Sequence, residues 1–362
     1  MRFKTIDGLR GIAALAVVVF HLHGATKVAF GDWLPSLLDR FFAAGHYGVD
    51  IFFVISGFVI AFSIRSAAPT WGFVGRFALR RSIRLDPPYW TAIALELAVQ
   101  ALALRLGFSE QPLPSLAAVA AHFLYLQNLL GLGNVVDVFW TLCFEIQFYL
   151  ALITFFVLHR QLADRLGART AQTLAIAVLG ASFVYSLAGR FGLGGLHVHP
   201  GFAAIRWYQF LLGALVWWTV DRKVGWAALP LAWALVATTV LGVGASAWEL
   251  LPIAVSALIF AAHRHDGMSS WLSSRPLQFL GAISYSLYVF HATIGWRFIR
   301  LVGVVAGEKP SVLVPVVAFT TGIALCIAFA WLAWRAIEGP SLTFSKRVEL
   351  PKRSSPAPSS AS

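Results

Sequence analysis

Arg10 and His21 bracket the apolar run Gly11–Phe20. Eleven helical steps of about 100° end roughly 20° past whole turns, so both side chains leave one face, about 16 Å apart along the axis. Ionisable groups inside an apolar helix are costly in a bilayer, which makes both candidates for function. A guanidinium grips phosphate or carboxylate through paired N–H donors. A neutral imidazole takes and returns a proton near pH 7. The plainer alternative is that Arg10 snorkels to the interface and His21 pairs with another helix.

Four further segments carry residues of the same kind. In GVDIFFVISGF (48–58), Asp50 enters an apolar helix, either as a functional carboxylate or as a cap. In RFALRRSIRLDPPYW (76–90), Arg80, Arg81 and Arg84 cluster, with Arg80 and Arg84 expected on one face at i, i+4. Such a cluster suits phosphate, or anionic lipid head groups. Pro87 and Pro88 are expected in the first turn of a span. In FWTLCFEIQFYL (139–150), Glu145 needs a partner, a proton or water; an ion pair with an arginine such as Arg206 is the structural alternative. In ISYSLYVFH (283–291), His291 follows Ser284, Tyr285, Ser286 and Tyr288, which also suit polar packing between helices.

The elements that position these residues are membrane spans. Of 362 residues, 59% are hydrophobic and only 12% charged, about half the charged fraction of a soluble domain. The expectation is an all-α, polytopic integral membrane protein with about ten transmembrane helices, roughly 9–26, 48–66, 86–106, 138–158, 171–189, 203–221, 226–244, 247–263, 281–303 and 311–334. The N-terminus resembles a signal peptide only superficially, and an uncleaved first span is expected. With both termini cytoplasmic, all but eight of the 28 Lys and Arg fall on the inner side; the eight are Lys27, Arg40, Arg105, Arg190, Arg206, Arg297, Arg300 and Lys309. The segment 115–133 is apolar, but a crossing there would invert that balance, so it reads as an interfacial or re-entrant helix on the outer side. One membrane domain, 1–345, and a disordered cytoplasmic tail, 346–362, complete the expected organisation. The net charge of +12 follows from loop arginines and lysines, not from a nucleic-acid surface. Cys143 and Cys326 lie in apolar segments as core residues, and no Cys/His spacing suits a metal.

Together these segments resemble the membrane-bound acyltransferase family 3, bacterial O-acyltransferases of surface polysaccharides and related acceptors. Arg10 and His21 match its basic residue, ten residues, then His. Residues 48–58 match GVDxFFVxSGF, and Arg80, Arg81, Arg84, Pro87 or Pro88, Tyr89 and Trp90 match its RRxxRxxPxYW-like stretch. Trp140 to Leu150 and Ser284 to His291 match its two later patterns, in family order. Cys143 stands where serine is common, and Ile146 where a polar residue is frequent. Many members add an esterase-like domain, and none is expected among these residues.

The resemblance implies transfer of an acyl group, acetyl foremost, from cytoplasmic acyl-CoA to a hydroxyl of a carbohydrate or lipid-linked glycan, in the bacterial inner membrane. Acyl-CoA is then a co-substrate, and no permanently bound cofactor is expected. His21 is the expected base or acyl carrier, with Glu145 as its catalytic companion. Arg10, Arg80, Arg81 and Arg84 are expected to bind acyl-CoA, and Asp50 and His291 to bind acceptor or relay a proton. A proton-coupled transporter, or an export component without acyl transfer, is the alternative class.

Overall fold

The computed structural model describes residues 3–65, 67, 69–108, 110–307, 311 and 313–351. Arg2, Lys309, Lys352 and Arg353 of the charge argument, and positions 352–362 of the expected tail, lie outside them.

Among the described residues the chain folds into fourteen α-helices joined by short turns, with no strand. In order they are α1 (Lys4–Phe30), α2 (Ser36–Ala43), α3 (Gly48–Ser63), α4 (Trp71–Arg105), α5 (Leu116–Phe123), α6 (Trp140–Leu166) and α7 (Ala168–Phe191). There follow α8 (Trp207–Val220), α9 (Ala228–Gly242), α10 (Leu251–Arg264), α11 (Arg275–His291), α12 (Arg297–Ala306), α13 (Leu313–Ala333) and α14 (Gly339–Ser345). A π-turn, Ala292–Trp296, links α11 to α12, and another, Trp334–Glu338, links α13 to α14.

Seven stretches among the described residues are long and apolar enough to cross a membrane: 4–30, 36–63, 137–166, 168–191, 247–264, 275–306 and 313–345. The protein is an all-α polytopic membrane protein. Each expected span falls on a helix; the three outside these seven fall on α4, α8 and α9. α4 has the length but carries Arg76, Arg80, Arg81, Arg84, Asp86 and Glu96, and α8 and α9 are short.

α1 lies at the centre, packed against α11, α3 and α13. Without a hydrophobic drive inside lipid, helices associate where small residues let backbones approach. At Gly11 a Cβ would stand 2.8 Å from the Leu277 carbonyl oxygen, and at Gly281 it would land on the carbonyl of Asp7. This close seam fixes α1 against α11. An aromatic stack of Phe53, Phe210 and Phe148, with ring centres 4.5 and 4.3 Å apart, ties α3, α8 and α6 together.

One expectation changes here. α4 begins at Trp71, so Pro87 and Pro88 lie in its interior, not in a first turn. Lacking N–H groups, they leave the carbonyls of Ile83 and Arg84 without helical donors, and beside them the Tyr285 hydroxyl donates to the Leu85 carbonyl at 2.8 Å. The segment 115–133, expected as an interfacial or re-entrant helix, holds only a short helix. Ser115 caps α5 by accepting from the Ala118 N–H, and α5 has only eight residues, too few to cross. Tyr125 then stacks on Tyr89 at 4.7 Å and donates to Asp86 at 2.8 Å.

Candidate active site

The α1–α11 seam brings together two of the expected residues. His291 Nε2 lies 3.1 Å from His21 Nδ1. His291 Nδ1 faces the carbonyls of Tyr288 at 2.8 Å and Leu287 at 3.1 Å. Carbonyls only accept, so this nitrogen carries the proton, and Nε2 of the neutral ring accepts. His21 Nδ1 also faces a carbonyl, that of Val17, at 2.9 Å. It therefore donates, shared between Val17 and His291. The lone pair of neutral His21 is thus on Nε2, which has no hydrogen bond among the described residues. His291 is fully buried and His21 only partly so. Asp137 and His46 are the titratable side chains whose fields reach His21.

A cavity with an empty volume of about 790 Å³ opens toward the Arg10 end of α1. It gathers Arg10, Arg81, Arg84, Glu145, Tyr285 and Tyr288 from α1, α4, α6 and α11. Ser56 donates to Glu145 Oε1 at 2.8 Å, and the Arg81 guanidinium stands 4.5 Å over the Tyr149 ring. Tyr288 joins this cavity to the imidazole pair. Its hydroxyl lies 2.6 Å from Thr141 Oγ1 and donates to the Val138 carbonyl, while its ring centre is 6.0 Å from that of His291.

Three expected partnerships differ in the structure. Arg81, not Arg80, accompanies Arg84. The buried stripe of α4 runs through Phe73, Phe77 and Leu85 and carries Arg81 and Arg84 inward, an i, i+3 pair; Arg80 lies at the stripe's edge, lining a separate cavity with Arg76. Arg206 pairs with Asp50 at 3.0 Å and not with Glu145, because the turn before α8 delivers it to the first turn of α3. Asp50 therefore stands outside the cavity. Glu145 faces the arginines, whereas Val17 and His291 orient His21.

Several residues of this region went unread in the sequence. Glu338 accepts from both the Ser286 hydroxyl, at 2.6 Å, and its N–H. Glu96 accepts from Thr293 and Arg297 across the π-turn that follows His291. Both are carboxylates in apolar surroundings, and that cost was the available signal. His46 and Asp137 lie in short turns, where spacing says nothing about which helix they approach. Cys143 and Cys326 are free and buried. Among the described residues no group of three His, Cys, Asp or Glu is arranged for a metal.

A family model described as "Acyltransferase domain" matches residues 3–335. The chain is 28% identical over 317 residues to a "Putative membrane-bound transacylase BcsY" of Komagataeibacter xylinus, covering 80% of this chain and 72% of that protein. It is 26% identical over 390 aligned positions to "O-acetyltransferase OatA" of Staphylococcus aureus (strain MRSA252), covering 97% of this chain and 59% of that protein. It is 25% identical to "Putative O-acetyltransferase SACOL0978" of Staphylococcus aureus (strain COL), over 92% of this chain and 56% of that one. The chain thus spans little more than half the length of these staphylococcal relatives. No solved structure matches.

Proposed function

Since the chain belongs to the acyltransferase family whose model covers residues 3–335, we propose that it is a membrane O-acyltransferase that moves an acyl group, acetyl foremost, from acyl-CoA to a hydroxyl of a carbohydrate or lipid-linked glycan. The observation that carries this reading is the His21–His291 pair, whose hydrogen bonds leave Nε2 of His21 free, joined through Tyr288 to a cavity holding three arginines.

In this reading Arg10, Arg81 and Arg84 bind the phosphates of the donor through charge-assisted hydrogen bonds. The acceptor hydroxyl loses its proton to Nε2 of His21 as its oxygen attacks the thioester carbonyl. The new C–O bond forms, the C–S bond breaks, and the departing thiolate takes the proton back from the imidazolium. His291 supports that imidazolium by accepting from Nδ1. Glu145 keeps the arginines in place and partly offsets their mutual repulsion. The site faces the cytoplasm at its arginine end, where acyl-CoA is made, and the chain resides in the bacterial inner membrane.

The test is acyl transfer from labelled acetyl-CoA by the purified protein in vesicles, together with mass analysis of surface glycans and lipids from a deletion strain. A missing acetyl mass that the wild-type gene restores, and that His21→Ala does not, is the expected result. Normal transfer by His21→Ala, at wild-type abundance in the membrane, would falsify the role of His21.

A further inference from the structure

α7 packs tightly only in its second half. In its first half Ala171 is the buried residue, and the others that are buried are Phe183, Ser186 and Leu187. Between that loose half and α6 lies a slot with an empty volume of about 1140 Å³. Its walls are apolar, with Ile153 and Phe156 of α6 facing Ile176 and Leu179 of α7, and Trp217 closing one side. One polar atom is out of keeping with these walls. His159 Nε2, in the lining, is buried without a hydrogen-bond partner. Such an atom calls for a ligand with a polar group at that depth.

The slot has a basic mouth. Arg65 and Lys223 lie at its end, with Asp221 3.9 Å from Lys223. A second cavity of about 1160 Å³ adjoins it, sharing Ala67 and Phe73 as a common wall, and it contributes Arg76, Arg80 and Lys346 against a single acid, Glu349. Cations outnumber carboxylates around the combined mouth. The mouth is on the same side as the start of α1, since Phe3 packs on Phe62 near the end of α3 at 4.9 Å. An apolar slot ending in excess positive charge is complementary to one kind of membrane molecule: an acyl chain that terminates in an anionic phosphate.

We propose that this slot holds one anionic glycerophospholipid, with an acyl chain between α6 and α7 and its phosphate at the Arg65–Lys223 mouth. His159 donates from Nε2 to an oxygen of the glycerol-phosphate region. The lipid completes the packing of the loose half of α7.

The test is native mass spectrometry of the full chain extracted from bilayers of phosphatidylcholine mixed with phosphatidylglycerol. The expected result is one retained phosphatidylglycerol on the wild type, with about tenfold lower occupancy in Arg65→Gln/Lys223→Gln, which removes charge from exposed positions only. Ala175→Trp, which fills the slot, should lower occupancy similarly; the double variant keeps the test decisive if this one fails to fold. A wild type that retains no phospholipid, one that retains phosphatidylcholine equally well, or a double variant with wild-type occupancy overturns the proposal.

Discussion

His291 Nε2 accepts from Nδ1 of His21 across 3.1 Å, between two helices whose sequence positions are 270 residues apart. The donor's direction follows from three backbone carbonyls, which cannot be protonated, and it leaves a single nitrogen of the pair free. His291 thereby acts on the reaction through His21.

Replacing His291 by Ala should lower kcat by about 10²-fold, the lower end of what a positioned acid–base group contributes, with KM for acyl-CoA unchanged within about twofold. His291→Gln, whose amide oxygen can accept from His21, should regain part of the loss. Steady-state kinetics with labelled acyl-CoA provides the measurement. Equal losses in Ala and Gln variants would show that packing, not the hydrogen bond, is what His291 supplies.

Arg10, Arg81 and Arg84 are expected to report on donor affinity. Each change to Gln removes a charge-assisted contact of about 1.5–3 kcal/mol, which is roughly 10- to 100-fold in KM for acyl-CoA. Arg160→Gln, at an exposed position on α6, should leave KM unaltered. A similar KM for all four variants would remove the cavity from donor binding.

In the Asp50–Arg206 pair the carboxylate is buried and the guanidinium partly so, and breaking a buried pair from one side costs up to about 3–5 kcal/mol because it strands a charge. Asp50→Asn and Arg206→Gln should each lower the melting temperature in detergent. The double variant should recover much of that loss, since no charge is left unpaired. Additive losses in the double variant would show that the two residues act separately.

His122 lies outside the spans, in the segment 115–133. Its Nδ1 donates to the Ala118 carbonyl at 2.6 Å and its Nε2 accepts from the Val135 N–H at 3.0 Å. Burial holds its pKa below the ordinary histidine value. The neutral ring is therefore favoured by folding, and its contribution is complete above about pH 6.5 and lost as pH falls toward the lowered folded-state pKa. Limited proteolysis between positions 110 and 139 should quicken as pH drops from about 7 to 5, and His122→Gln should flatten that dependence. A wild-type cleavage rate independent of pH in that range would rule this out.

The sequence was informative where the physics is local. The helical phase of Arg10 and His21, the apolar lengths of the spans and the cost of Glu145 or His291 in lipid are all properties of single segments. Which arginine accompanies Arg84 was not local, because it depends on the phase of the buried Phe73–Phe77–Leu85 stripe against α6, α11 and α14. Nor was the partner of Asp50, since Arg206 arrives from a turn 156 residues away. Glu96 and Glu338 were legible in principle as buried carboxylates. Ser286, the partner of Glu338, carries no charge to advertise it, and Arg297, which meets Glu96, lies 201 residues away.

The protons of the histidine pair have one door. A proton arriving on Nε2 of His21 can be shared inward to His291, but among the described residues only the carbonyls of Leu287 and Tyr288 stand beyond His291 Nδ1, and these pass nothing on. It must leave by the atom through which it came. The pair is thus a cul-de-sac and not a wire. Turnover at this site should neither draw on a proton gradient nor dissipate one, and an uncoupler added to sealed vesicles should leave its rate untouched.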